Sequence, residues 1–237
     1  MISDKYTINN NGDSAITIIF KQNPSEELTR KIITLEKSIA LEFKNKLYQI
    51  IPSYQSITLT FNPLELIKTE LISRLEKILS ASIDVSEYPS RLIEIPVCYH
   101  SEYAPDIANL SNRTGLSINE IISLHTRPKY LVHMLGFLPG FLYLGGLDKR
   151  LHISRKKSPR NRVSSGSVGI GRSQTGVYPI ESPGGWQIIG RTPLKLFSPN
   201  SEYPAIARPL DRIQFVSITP ERFKELESNL ALGSVHS

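Results

Sequence analysis

Six arginines stand in one stretch between Gly136 and Phe197, among them Arg155, Arg160, Arg162, Arg172 and Arg191, together with the only tryptophan, Trp186. Guanidinium forks bind carboxylates and phosphates through two parallel hydrogen bonds, and an arginine held on a rigid turn loses less entropy in doing so. The set reads as an anion- or partner-binding surface, with Arg155, Arg160, Arg162 and Arg191 as candidates; a solvated basic face is the alternative. Gln174, Thr175 and Tyr178 add neutral donors and acceptors of the kind that orient an amide or a lactam. Ser182-Pro183-Gly184-Gly185-Trp186 offers backbone amides beside a large aromatic ring, which reads either as an anion cradle or as a tight turn with Trp186 in the core. His133, next to the run GFLPGF, is a further candidate, with a structural hydrogen bond as its simpler role. An Arg160→Ala change is expected to lower activity without unfolding the surrounding domain.

Other chemistries are excluded by spacing. Gly166, Gly169 and Gly171 are followed by no Gly-Lys-Ser or Gly-Lys-Thr and sit in no βαβ pattern, so they make neither a P-loop nor a dinucleotide fingerprint. A serine nucleophile elbow is missing, because Arg162 and Ser165 occupy the upstream glycine positions of Ser164 and Ser167. The five histidines show no paired metal-ligand spacing, so no metal ligand set is found. The single cysteine, Cys98, excludes an internal disulfide and reads as a buried strand residue in LIEIPVCY. A net charge of +6 comes without an RNA-binding signature, so nucleic acid is not an expected partner. With no apolar run of ~18 residues and no signal-like N-terminus, no membrane association is expected and the cytoplasm is the expected location.

The elements that must position these residues follow from composition. Of the 14 glycines, 11 lie between Gly136 and Gly190, interleaved with Pro139, Pro159, Pro179 and Pro183. Such density specifies many turns between short strands, with Val168, Ile170, Val177, Ile188 and Ile189 as core beneath them. From Tyr130 onward the pattern is that of a compact β-barrel or sandwich. Short helices near Asp106–Arg113 and Ile118–His125 precede it, the first ended by Gly115 and the second opened by a Ser117/Glu120 capping box. A final helix over Glu221–Leu230 is expected ahead of a disordered tail.

The N-terminal part mixes strands and helices. Lys5–Asn9 and Ala15–Phe20 flank an Asn-Asn-Asn-Gly turn, and Asn23, Pro24 and Glu26 read as cap, first helical position and capping-box partner. Leu28, Ile32, Leu35, Ile39 and Phe43 then form one apolar helical stripe. Ser56–Phe61 reads as a strand, Leu64–Leu79 as a second amphipathic helix and Arg91–Tyr99 as a strand. The expected fold is α+β, with a ferredoxin-like domain over residues 1–96 and a β-barrel domain over 97–237.

GFLPGFLYLGGL, SPRNRVSSGSVGIGRSQTGVYP and SPGGWQIIGRTP, preceded by IPVCYH and APDIANLSNRTGLSINEIISLHT, together resemble the family of the bacterial 5-oxoprolinase B subunit, also called allophanate hydrolase subunit 1 or KipI-like. The resemblance covers essentially the whole chain. It implies a small α/β unit followed by a cyclophilin-like β-barrel. Its signature positions are Pro139, Gly140, Arg160, Ser167, Gln174, Thr175, Gly176, Tyr178, Pro183, Gly184, Gly185, Trp186, Gly190 and Arg191. The chain departs from the family pattern at Ser154-Arg155, where proline commonly precedes the arginine, and at Leu210-Asp211, where the family has Gly-Asp.

The resemblance further implies a protein that is inactive alone and works with subunits A and C of one complex to open 5-oxo-L-proline, a small cyclic amide, to L-glutamate with hydrolysis of ATP. The ATP site would be shared with the complex and is not located in this chain. KipI-like members suggest a different class, an inhibitor that binds a sensor histidine kinase through an exposed apolar patch, for which Phe137, Leu138, Phe141 and Leu142 are the candidates, a barrel core being the equal alternative for these four. The relatives fused in urea amidolyase suggest carboxyl transfer with biotin, but the chain holds no biotin-attachment motif.

Overall fold

The computed structural model describes residues 4–81 and 89–233. It is a mixed α/β protein that divides into two compact units, Met1–Pro89 and Ser90–Ser237.

In the first unit β1 (Tyr6–Asn10) and β2 (Ala15–Phe20) form a hairpin, followed by α1 (Glu26–Phe43), β3 (Leu47–Pro52), β4 (Ser56–Phe61) and α2 (Lys68–Ser80). The sheet order is β1-β2-β4-β3 and every pairing is antiparallel. All five stripe residues of α1 are buried, in one core with Ile16, Ile18, Ile57 and Leu59 of the sheet. The cap of α1 is Ser25, whose hydroxyl accepts from the Leu28 amide at 3.1 Å, not Asn23. That shift leaves Pro24 outside the helix and puts Glu26 and Glu27 in the first turn, where the helix dipole favours them. Likewise α2 begins at Lys68, because Asn62 draws the amides of Leu64, Glu65 and Leu66 into a separate turn.

The chain order ββαββα differs from the βαββαβ order of a ferredoxin-like domain. The fourth place in the sheet belongs to β3, an edge strand, and the strand expected at Arg91–Tyr99 is part of the second unit. A boundary at 96/97 would cut that strand; the division at Pro89/Ser90 keeps it whole.

The second unit comprises β5 (Leu92–Cys98), α3 (Ile107–Thr114), α4 (Ile118–Thr126), β6 (Tyr130–Leu135), β7 (Leu142–Gly145), β8 (Arg160–Val163), β9 (Ser167–Gly171), β10 (Gln174–Val177), β11 (Ser182–Gly184), β12 (Gln187–Arg191), β13 (Arg212–Ile218) and α5 (Pro220–Gly233). Seven strands close a barrel in the order β10-β7-β6-β13-β5-β12-β9, and β8 and β11 pair outside it. The tail expected after α5 lies at 234–237, outside the described residues. No helix among the described residues is long and apolar enough to cross a membrane.

Local chemistry explains the barrel's entry and closure. Gly115 ends α3 with φ 72°, and the Ser117/Glu120 capping box opens α4. Strand β13 runs parallel to β5 along its full length. Its start is anchored by buried Asp211, whose carboxylate accepts from the Arg91 side chain and from the amides of Arg91 and Arg208. Leu210 before it holds φ 76°, the left-handed turn for which glycine is the unstrained residue.

The core carries one fully buried imidazole, His125. Its Nε2 lies 2.8 Å from Thr175 Oγ1, and that hydroxyl donates to the Gly169 carbonyl at 3.0 Å. Thr175 must therefore accept from Nε2–H, which leaves Nδ1 bare to accept from the Tyr99 hydroxyl at 2.7 Å. Burial holds the imidazole neutral, with its pKa lowered to about 3.

On β12 the two successive isoleucines point in opposite directions, as strand alternation requires. Ile189 enters the barrel core, while Ile188 joins Phe141, Val163, Tyr178 and Trp186 in a smaller cluster. That smaller cluster is the floor of the site.

Candidate functional site

A pocket of about 380 Å³ opens over the smaller cluster. One wall is the run GFLPGF between β6 and β7, where the Phe141 amide donates to the Leu138 carbonyl at 3.0 Å and Gly140 has φ 81°. Tyr143, Arg155, Pro159 and Tyr178 continue the lining, and Ser182 to Trp186 closes it. Phe141 meets both Tyr178 and Trp186 edge-on, at centroid separations of 5.0 and 5.5 Å.

Two glycines are required by these rings. A Cβ on Gly171 would lie 2.6 Å from the Trp186 ring, and one on Gly184 would lie 2.5 Å from the Tyr178 hydroxyl. Trp186 is 4% exposed. It is thus both a core residue and a pocket wall.

Arg155 is exposed and its guanidinium sits 5.6 Å from the Trp186 ring centroid. No carboxylate among the described residues pairs with it. Its field reaches into the pocket: burial raises the pKa of the Tyr143 and Tyr178 hydroxyls, and Arg155 acts against that rise at both. At Tyr178 the nearby Trp186 backbone opposes it as well.

Arg160, Arg162 and Arg191 line a second, smaller pocket of about 230 Å³ with Glu102, Tyr103, Ser164 and Ser167. These three arginines are already engaged. Arg160 makes a two-point ion pair with Asp106, at 2.7 and 2.8 Å. Arg162 pairs with Glu181 at 2.6 Å. Arg191 donates to the Ser165 carbonyl at 2.9 Å and lies over Phe223.

The ten residues nominated from the sequence therefore separate. Arg155, Tyr178, Gly184, Gly185 and Trp186 surround the aromatic pocket, and Arg160, Arg162 and Arg191 surround the other. His133 and Gln174 line neither. His133 sits at a β6 bulge with its ring against Gly145, and Gln174 pairs with Gly171 at the end of a hairpin.

The geometry bears on three readings of the sequence. In the Ser182–Trp186 segment, Ser182–Gly184 pairs with β8 and Trp186 is a core residue, so this run is a paired strand leading into the core. Of the four apolar residues, Phe141 and Leu142 are buried in the core, Leu138 is half-buried, and Phe137 is exposed. The glycines that spacing excludes as a phosphate loop have backbone partners. Gly169 and Gly171 lie in ladder pairs, and the Gly166 amide donates to the Tyr178 carbonyl at 2.7 Å.

Sequence reasoning missed Asp106. Its position before α3 suggests a helix cap, yet it makes no capping bond; its carboxylate accepts from Arg160, from Lys156 at 3.1 Å and from the Ile188 amide at 2.7 Å. Burial works against its ionisation, but Arg160, the Ile188 amide and Lys156 together hold its pKa below the ordinary carboxylate value.

Comparison with known proteins fits these features. The model of the carboxyltransferase domain, subdomain C and D, matches residues 6–207. The 5-oxoprolinase B subunit of Bacillus subtilis (strain 168) is 37% identical over 233 residues, covering 92% of this chain and 95% of its own length. The solved structure of TTHA0988 is similar with a TM-score of 0.72 and 31% identity over 86% of this chain, which spans only 40% of the length of that protein. Kluyveromyces lactis urea amidolyase has the same fold over 94% of this chain and 15% of its own, with a TM-score of 0.78 at 18% identity. The chain belongs to the family of the 5-oxoprolinase B subunit, within the wider family of carboxyltransferase domain subdomains C and D.

Proposed function

We propose that this chain is the B subunit of a cytoplasmic complex with subunits A and C that opens 5-oxo-L-proline to L-glutamate with hydrolysis of ATP. One observation carries this reading: the match to the B. subtilis protein runs over 95% of that protein's length. A match of that extent is what a counterpart of the same subunit would give. The barrel's own residues give it a definite share of the work. A rigid, aromatic-walled pocket is suited to binding a small ring, orienting it and excluding bulk water from it.

The test is reconstitution. The chain is co-purified with candidate subunits A and C, and ATP-dependent glutamate release from 5-oxoproline is assayed with each component omitted in turn. Turnover that needs all three components is the expected result. A stable complex without turnover would point to another amide substrate, and failure to form any complex would overturn the subunit role.

A further inference from the structure

We infer that the pocket between the Phe137–Phe141 turn and the Ser182–Trp186 segment is a binding site for a small ligand with a carboxylate on a flat, largely apolar body, Arg155 taking the carboxylate and the Tyr178 and Trp186 rings the body. The site stands on geometry; naming 5-oxo-L-proline as its ligand rests on the function proposed above.

Charge accounting singles out Arg155. Each arginine of the second pocket has a protein acceptor: Asp106 for Arg160, Glu181 for Arg162 and the Ser165 carbonyl for Arg191. Arg155 has a cation–ring contact instead. Such a contact consumes no N–H donor, so the guanidinium fork stays available for the two-point geometry that a carboxylate offers. A lone cation above apolar walls suits a monoanion better than a phosphate, which usually collects several donors.

The walls are set before any ligand arrives. Phe141 packs edge-on against Tyr178 and Trp186, and glycine at 171 and 184 lets those rings lie flush against the backbone. A volume of about 380 Å³ falls in the range of small-molecule sites. Phe137 stands at the mouth, 63% exposed, with φ 70°. A bulky residue rarely adopts that backbone conformation, and here the exposed ring gains little burial in return. Its ring meets Phe141 edge-on at 5.7 Å, where a seated ligand would cover it.

Because Trp186 is the only tryptophan, its emission reports on this pocket and on nothing else in the chain. The full chain is titrated with 5-oxo-L-proline, with 2-pyrrolidone, which is the same ring without the carboxylate, and with benzoate, a flat carboxylate without the lactam. Saturable emission changes are expected for the two carboxylates, with 2-pyrrolidone at least tenfold weaker. Arg155→Ala should weaken carboxylate binding at least tenfold, Arg155→Lys should restore part of it, and Arg162→Ala should leave it unchanged. Unaltered thermal melts establish that the variants fold.

Equal binding of 2-pyrrolidone and 5-oxoproline, unchanged binding in Arg155→Ala, or no saturable change with any of the three would overturn the site. The two readings fail separately. Carboxylate binding by a chain whose complex shows no turnover leaves the site standing without the proposed function. Turnover with an unchanged KM for 5-oxoproline in the Arg155→Ala complex leaves the function standing without the site.

Discussion

Asp106 and Arg160 are joined by two parallel hydrogen bonds, Nη1 to Oδ2 at 2.7 Å and Nη2 to Oδ1 at 2.8 Å, and Asp106 is buried while Arg160 is about a quarter exposed. The same carboxylate also accepts from Lys156 and from the Ile188 amide, so it ties the loop before α3 to β8 and β12. Removing Arg160 would leave a buried carboxylate short of its main partner. Breaking such a pair costs about 3–5 kcal/mol when both groups are buried, and partial exposure of Arg160 lowers the expected loss to about 2–3 kcal/mol.

Arg160→Ala is thus expected to destabilise the barrel unit, contrary to the simpler expectation from the sequence that it would spare the fold. Urea unfolding of the variant, of Asp106→Asn and of the double variant measures this. A coupling below about 0.5 kcal/mol between the two sites would show that the pair carries no weight.

The second prediction concerns pH. His125 is neutral in the fold with a pKa of about 3, whereas an unfolded histidine titrates near 6.5. Its contribution to stability is therefore complete above pH ~6.5 and is lost as the pH falls toward 3, because only the unfolded chain takes up the proton. The maximal slope for one proton is about 1.4 kcal/mol per pH unit. Asp106 and Asp211, whose folded pKa values are lowered, add their loss only below ~4. Between pH 4.5 and 6 the slope should flatten in His125→Phe, which also loses stability at pH 8 because the Tyr99 and Thr175 hydroxyls lose their shared partner. Parallel stability curves for the two proteins across that window would rule the assignment out.

Legibility in the sequence followed the range of the interactions. The α1 stripe and the α4 capping box are local patterns, and the structure contains both. Strand β3 escaped notice because an edge strand buries little, and its bulge between Leu47 and Gln49 breaks the alternation. Strand β5 is visible as a strand, but its partner β13 lies at Arg212–Ile218, and no local pattern encodes a pairing so distant. The site was legible only as a composition. That Arg155 alone of the pocket-lining arginines lacks a protein acceptor follows from where Asp106, Glu181 and Ser165 stand, which spacing does not reveal.

Arg172 offers a stabilising substitution. It is exposed, has φ 60°, and is the first of two loop residues between the paired positions Gly171 and Gln174. Two-residue hairpin loops of this kind favour glycine there, and an L-residue in the left-handed region costs about 1 kcal/mol. The bonds it makes with Ile153 use only backbone groups and survive the change. Arg172→Gly is expected to raise the melting temperature of the barrel unit by roughly 2–4 °C. A lower melting temperature would mean that the added freedom of the unfolded chain outweighs the relieved strain.

Gly171→Ala tests the support beneath the pocket from the opposite direction. The backbone at Gly171 is ordinary, so an alanine meets no conformational penalty, but its methyl would lie 2.6 to 2.7 Å from three atoms of the Trp186 indole. The indole cannot retreat without disturbing Phe141, which it meets edge-on at 5.5 Å, or losing the cation contact with Arg155. Overpacking of this kind costs about 1–3 kcal/mol. The variant should melt earlier and show a shifted Trp186 emission maximum before any ligand is added, since the ring is pushed toward the pocket. Loss of stability with unchanged emission would place the adjustment in the strand and leave the ring where it is, in which case β9 and not the aromatic cluster is the softer element.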